Sequence, residues 1–428
     1  MAIEPPPIPF DIDPNRRSFT PKGDRRLAIA LLLMGVVCLG MGQTIVFAVL
    51  PPLARSLGLA DMQVAAIFML SATFWVALSP RWGRQSDRFG RKPFILIGMS
   101  GFVISMVLFA TSIALGLAGA LSGIGLYALI IATRSIYGLI GSATPAAAQG
   151  YIADRTPIER RTAGVSSFSA AFGLGAMLGP GLGGAAAAIG PLAPLYAVAA
   201  LAAVMVTVIL FLLPEMTPPI PHERKLRLSL FDVRLRPFLI FGLVFGLINA
   251  VPIQTTAFYF IDVLDLTPEE APQLVGVGLM GAAMASLFSQ IVLVQQFGLK
   301  PNMLMRIAPA VMCLGHALIV VSDELGPLVF GLILSGFGAG MALPGFTGAA
   351  MLAVGPDEQG SAAGLANAVG ASGFVISPLI GFSLYQIAPQ ASFIMTASLA
   401  FALFLFAMLS KSIGEAGRVE KEAAGSSQ

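Results

Sequence analysis

The sequence predicts an all-α integral membrane protein: twelve transmembrane helices forming two pseudo-symmetric six-helix bundles, with both termini cytoplasmic. Three observations carry this expectation. Of the 428 residues, 56% are hydrophobic and only 11% charged, and the mean hydropathy is +0.85; soluble domains carry about 25% charged residues. Apolar runs recur between short polar links, each close to the roughly 20 residues that cross a bilayer as a helix. Finally, the second half of the chain echoes the first.

In order, residues 1–25 are Pro-rich and polar (Pro5-Pro6-Pro7, Asp11, Arg16, Arg17) and read as a disordered cytoplasmic tail. They hold no short apolar core before a cleavage site, so they are not read as a secretory signal peptide. The N-terminal bundle is expected over 26–213, with apolar runs near 27–50, 62–82, 93–115, 121–150, 163–188 and 192–213. A basic linker follows at 214–237, carrying Arg224, Lys225, Arg227, Arg234 and Arg236. The C-terminal bundle is expected over 238–410, with runs near 238–261, 270–296, 302–321, 325–353, 361–386 and 390–410, before a polar cytoplasmic tail at 411–428.

Orientation follows from the basic residues. Placing the N-terminus inside puts all but two of the 25 Lys and Arg, Arg55 and Arg134, in cytoplasmic segments. The opposite loops carry acids instead, among them Asp61, Asp262, Asp265 and Asp323. That is the positive-inside asymmetry. The pI near 9.0 therefore reflects loops facing anionic lipid rather than nucleic acid. Cys38 and Cys313 both lie in apolar runs, which indicates neither a disulfide framework nor a metal site.

The repeat is visible in matched prolines and glycines. Phe89-Gly90-Arg91-Lys92-Pro93 is echoed by Phe297-Gly298-Leu299-Lys300-Pro301, and Pro145 and Pro157 by Pro344 and Pro356. Gly179-Pro180-x-x-Gly183 is echoed by Ser377-Pro378-x-x-Gly381. Duplicated six-helix units with a central site between them are a transporter architecture.

The densest polar stretch inside the first half is Gly83-Arg84-Gln85-Ser86-Asp87-Arg88-Phe89-Gly90-Arg91-Lys92-Pro93. Four cations and a carboxylate cannot sit in hydrocarbon, so it reads as a tight water-facing loop. Gly90 suits a left-handed turn and Pro93 the first position of the next helix. Gly-x-x-x-Asp-Arg-x-Gly-Arg-Lys between two spans resembles the signature loop of the major facilitator superfamily. The resemblance implies a gating role for Gly83, Asp87, Arg88, Gly90, Arg91 and Lys92. In it, Asp87 would face the N-terminus of helix eleven near Gly360 and Ser361, Arg91 would pair with Asp154, and Arg88 with other loop carboxylates. These contacts would hold the outward-open state.

Two further stretches point to efflux. Arg134 lies about 30 Å along a helix from Asp154 at 1.5 Å per residue, hence within the bilayer, where a charge is a functional candidate by default; a structural arginine bonding carbonyls is the alternative. Arg134-x-x-x-Gly138, followed by Tyr151-Ile152-Ala153-Asp154, resembles helix four of tetracycline-type drug:proton antiporters, which implies a part in proton movement. In helix five, Gly175, Gly179 and Gly183 share one face beside Pro180 and Gly184 and invite close helix packing. This Gly-x-x-x-Gly-Pro-x-x-Gly-Gly pattern resembles the antiporter signature of exporters.

The candidate substrate cavity draws on polar and aromatic residues within the spans: Gln43, Trp75, Tyr137, Asn249, Gln254, Tyr259 and Asn367, with Thr44, Thr255, Ser286, Ser289 and Gln290 as further polar groups and Phe74, Phe258 and Phe260 as further aromatics. His316 is a second proton candidate, since an imidazole in water titrates near neutral pH, although a lone helix histidine is usually structural. The first, third, fifth, eighth, ninth and eleventh runs lack the acidic residue that drug antiporters commonly use. Proton coupling would then fall to Asp87, Asp154, His316 or the substrate itself. The expected function is proton-coupled efflux of a small apolar or anionic compound from a bacterial-type inner membrane, by a monomer without cofactor or metal. An importer or exchanger of an organic anion is the alternative, and a membrane sensor or polytopic enzyme the more distant one. No Gly-x-x-x-x-Gly-Lys-Ser/Thr loop is present, so ATP is not the expected energy source.

Overall fold

The computed structural model describes residues 22–156, 161–214, 228–267, 270–355 and 358–416, and the side chains of all but 22–25, 161–166, 169 and 360 among them. Most of the expected N-terminal tail, linker and C-terminal tail lies outside the described residues, as do Pro157 and Pro356 of the repeat. Every regular element described is helical, and twelve helices are long and apolar enough to cross a membrane. The first half contains α1 (Lys22–Ser56), α2 (Asp61–Phe89), α3 (Arg91–Leu117), α4 (Gly123–Asp154), α5 (Arg161–Ala187) and α6 (Ala193–Leu212). The second contains α7 (Arg236–Leu264), α8 (Ala271–Gln296), α9 (Pro301–Val320), α10 (Leu325–Leu352), α11 (Gln359–Ile387) and α12 (Ala391–Leu409). A short helix α13 (Lys411–Glu415) opens the C-terminal segment, its first turn capped by Ser410 Oγ accepting from the Ile413 N–H.

Several helices outrun the apolar stretches. At 35 residues, α1 is about 52 Å long, well beyond a hydrocarbon core of about 30 Å. The polar stretch read as a loop from Gly83 is mostly helix, because α2 runs on to Phe89 and α3 starts at Arg91. Gly90 alone breaks the helix, at φ 98°, a backbone setting that favours glycine. Pro93 is consequently the third residue of α3, where its missing N–H costs no intrahelical bond. The short break leaves Asp87 and Arg91 four residues apart, and they form an ion pair across it.

Among the described residues two helices contain a π segment, Tyr137–Gly141 within α4 and Gln290–Gln296 at the end of α8. A wider turn frees backbone carbonyls, which hydrocarbon cannot satisfy. In α4 the side chains of α2 and α3 do so: Trp82 Nε1 donates to the Leu139 carbonyl at 2.8 Å and Ser105 Oγ to that of Thr133 at 2.7 Å.

One apolar core fills the first half and continues across the interface into Phe258, Phe260, Leu332, Phe382 and Phe393 of the second. A separate core, built on Phe238, Phe241, Met305, Phe346 and Leu403, belongs to the second half alone. The crossing of the shared core lies toward the links that carry Asp61 and Asp262, here the acidic-loop end. The private core lies toward the end bearing Gly90 and Asp154, the basic-loop end. Between halves, α5 packs on α8 and α2 on α11. A Cβ at Gly276 would lie 2.6 Å from the Pro180 carbonyl oxygen, and one at Gly184 3.3 Å from the Gln273 backbone. Both approaches fall in the acidic-loop portions of α5 and α8. The halves therefore touch at one end and part toward the other.

Candidate functional site

Where the halves part, they enclose a cavity of about 830 Å³. That volume suits one drug-sized molecule. Its lining begins at Phe47, Thr256, Pro180 and Leu332 near the closed end and reaches Gln295 and Thr347 toward the basic-loop end. Apolar walls come from Phe245, Leu279, Leu287 and Phe374. The polar atoms are amides and hydroxyls: Asn249, Gln290, Asn367, Thr44, Thr256, Ser286 and Ser335 among them. Among the described residues, no Asp, Glu, Lys, Arg or His belongs to the lining. Most of it comes from the second half, with α1 and α5 closing the other side.

The closed end is held by a charge cluster that joins the halves. Arg55, at the end of α1, donates from Nε and Nη2 to the two Asp61 oxygens at 3.0 and 2.8 Å. It also pairs through Nη1 with Asp262 of α7, while Nη2 donates to the second Asp262 oxygen at 3.0 Å. Tyr385 of α11 donates its hydroxyl to Asp262, and the guanidinium lies 5.0 Å from the centre of the Phe258 ring. A planar, five-donor guanidinium is suited to hold two carboxylates at once. Arg55 is one of the two exceptions to the charge asymmetry, and that exception is the sequence signal for this cluster.

Arg134, the other exception, lies elsewhere. It is 2% exposed and packed within the first half. Nη2 donates to Gln43 Oε1 at 2.9 Å, and the guanidinium carbon lies 4.7 Å from the Tyr137 ring centre and 5.9 Å from that of Phe109. Nε is buried without a hydrogen-bond partner, and no carboxylate pairs with the group among the described residues. Aromatic faces thus supply much of its compensation. Gln43 bonds Arg134 while its neighbour Thr44 lines the cavity, so successive residues of α1 serve the two sites.

The family model of the Major Facilitator Superfamily matches residues 32–378. The chain belongs to this superfamily. Its twelve apolar helices make it a multi-pass membrane protein of that superfamily. It is 32% identical over 201 residues to the class D tetracycline resistance protein of Salmonella ordonez, a match covering 46% of each chain. Over 276 residues it is 25% identical to multidrug resistance protein 1 of Bacillus subtilis (strain 168), covering 64% of this chain and 67% of that one. The chain thus spans about half the length of the tetracycline resistance relatives it matches. Among solved structures, a bacterial homologue of the human lysosomal transporter Spinster, inward-facing and occupied, matches with a TM-score of 0.69 at 12% identity, covering 93% of this chain and 98% of that one. The human organic anion transporter MFSD10 (TETRAN) matches at 0.64 and 20%, covering 91% and 100%. At these identities the structures share the fold.

Within the polar stretch from Gly83 to Pro93, Arg91 is the hub. It donates from Nε to Asp154 Oδ2 at 3.0 Å and from Nη1 to Ser86 Oγ at 2.9 Å, besides pairing with Asp87. A Cβ at Gly150 would lie 2.4 Å from the guanidinium carbon, so the small residue in α4 makes the space. Asp87 is half exposed and bound within its own half, not to α11. The first turn of α11 is engaged by the segment before α7 instead: the Leu228 N–H donates to Ser361 Oγ at 3.3 Å. The other cations of the segment face solvent. Arg84 and Arg88 are exposed and Lys92 partly so, and none of the three forms an ion pair among the described residues. Arg88 therefore lacks the loop carboxylate expected for it.

The helix-five motif has two sides. Gly175 and Gly179 face α1: added Cβ atoms would lie 2.0 Å from the Val37 carbonyl oxygen and 2.6 Å from that of Met41. Gly183 packs on Ile45 of the same helix, whereas Pro180 and Gly184 meet α8 of the other half. Of the expected cavity residues, Asn249 and Asn367 line it, as do Thr44, Ser286 and Gln290. Thr255, Ser289, Phe74, Phe258 and Phe260 do not, nor do the other five leading candidates. Gln43 is bound to Arg134, Trp75 and Tyr137 pack together with ring centres 4.9 Å apart, and Gln254 is buried at 2% exposure. Tyr259 is fully buried and donates to the Ile319 carbonyl at 3.1 Å. These side chains point into helix seams, a direction that residue type alone does not specify. His316 is also buried, on α9, with Nε2 2.8 Å from Ser335 Oγ of α10.

Proposed function

We propose that this chain exports a small, uncharged, largely apolar compound across a bacterial inner membrane, exchanging it for protons as a monomer. The observation that carries the substrate class is the 830 Å³ cavity whose described polar lining is entirely uncharged. An ion moved there from water would lose hydration without gaining a counter-charge. Arg134, whose charge would favour an anion, is buried, held by Gln43 and outside the described lining. Amides at Asn249, Gln290 and Asn367 would orient a carbonyl or hydroxyl, while the apolar walls take the body of the molecule.

Positive-inside placement puts the basic-loop end in the cytoplasm, and the cavity then loads from the cytoplasm. The Arg55–Asp61–Asp262–Tyr385 cluster is the outer gate, and its rupture accompanies reversal of access. The direction of transport draws support from the Gly175–Gly184 motif and from the tetracycline and multidrug resistance relatives. The test is counterflow in proteoliposomes holding purified protein, with radiolabelled chloramphenicol as a neutral amide-bearing probe. Neutral lipophilic compounds should compete and organic anions should not. Competition by anions alone would overturn the substrate class.

A further inference from the structure

We propose that His316 binds and releases the coupling proton, exchanging it with the cavity through the Ser335 hydroxyl; this rests on the proton-exchange reading above. Ser335 belongs to the cavity lining, and its Oγ lies 2.8 Å from His316 Nε2. The contact is built by a close helix approach. A Cβ at Gly315 would lie 2.5 Å from the Gly331 carbonyl oxygen and 2.8 Å from the Ser335 nitrogen, so glycine beside the histidine brings α10 within reach.

No neighbouring charge fixes the protonation state of this histidine. From α12 it meets the Phe393 ring at 6.2 Å and the Thr396 backbone, and from α10 the Ser335 hydroxyl. Nδ1 is buried outside hydrogen-bond geometry. The neighbouring titratable groups are Tyr259 of α7, which packs on Phe393 at 4.7 Å, and Cys313, one turn earlier on α9. No Asp, Glu, Lys or Arg bonds to the ring among the described residues. The described lining carries no carboxylate or imidazole of its own. That leaves the His316 imidazole, a proton carrier by its ordinary chemistry, one hydroxyl away from the cavity. On loading, a hydronium in the cavity gives a proton to Ser335 Oγ as the hydroxyl proton passes to Nε2. Release reverses the two transfers, and no other bond changes.

The experiment compares wild type, His316→Gln and Ser335→Ala in proteoliposomes with an internal pH dye. Chloramphenicol is followed both by counterflow without a gradient and by accumulation against an imposed pH gradient. Counterflow needs no net proton movement, so His316→Gln should retain it while losing gradient-driven accumulation. Ser335→Ala, which keeps the histidine, should slow substrate-dependent proton flux by roughly a hundredfold or more, the scale of a lost proton-transfer group. Gradient-driven accumulation at wild-type level in His316→Gln, or unaltered proton flux in Ser335→Ala, would overturn the assignment. So would wild-type counterflow with no proton signal, which leaves the exporter standing. Wild-type protein without counterflow of any neutral probe removes the exporter reading and this one with it.

Discussion

Gln43 and Arg134 form a contact whose importance exceeds its single hydrogen bond. The arginine cannot shed its charge readily, and Gln43 Oε1 is the side-chain acceptor that holds it. Hydrogen bonds to charged groups contribute about 1.5–3 kcal/mol. Gln43→Ala is therefore expected to lower stability by that order. Arg134→Met removes the orphaned charge as well, so combined with Gln43→Ala it should cost less than the two single changes sum to. Thermal unfolding of the four proteins in detergent checks this coupling. Gly175 sets a different limit. With the Val37 carbonyl oxygen 2.0 Å from an added Cβ, Gly175→Ala must push α1 and α5 apart, at about 1–3 kcal/mol for overpacking. A lowered melting temperature together with lost counterflow is the expected outcome.

Among elements, the clamp between α1, α7 and α11 and the tie between the pre-α7 segment and α11 sit at opposite ends. Asp262→Asn removes the charge that Arg55 and Tyr385 share, so the acidic-loop face should open more often. Faster labelling of a cysteine placed at Leu332, in a background lacking Cys38 and Cys313, reads that change from the acidic-loop side. At the other end, Arg234 bonds Glu358 at 2.9 and 3.2 Å and Asp232 at 2.8 Å. The guanidinium holds both carboxyls below their ordinary values, chiefly through these hydrogen bonds. Their folded-state pKa values are depressed, so the tie is fully present above the ordinary carboxylate range and is lost as pH falls through the depressed values. Proteolytic cleavage before α7 should stay constant near neutrality and rise only in acid. Glu358→Gln should raise it at neutral pH.

For the whole molecule, joined cores at one end and separate cores at the other predict one-sided access. A cysteine at Asn249, on a cavity wall, should react with a membrane-impermeant thiol reagent from the basic-loop side far faster than from the acidic-loop side. Equal rates from both sides would contradict this arrangement. A neutral substrate bound in the cavity should slow the reaction, as the same volume cannot hold both.

Fold class, helix number and family membership were legible in the residues themselves. Hydrocarbon forces every spanning segment to satisfy its own backbone, which makes apolar length and helix nearly equivalent. Loop charges and the Gly90 break were legible for the same local reasons. The ends of helices were less so: the Gly83 stretch is polar yet helical, because a helix that leaves the bilayer can continue in water. What only tertiary structure decided is which side chains meet. Periodicity places Tyr259 and Asn249 on one helix without saying that Tyr259 turns into a seam and Asn249 into the cavity. Nor does it bring Arg55 to Asp262, which are 207 residues apart, or His316 to Ser335. Such pairings depend on how helices rotate and pack against one another, and that is settled by close contacts summed over the whole fold.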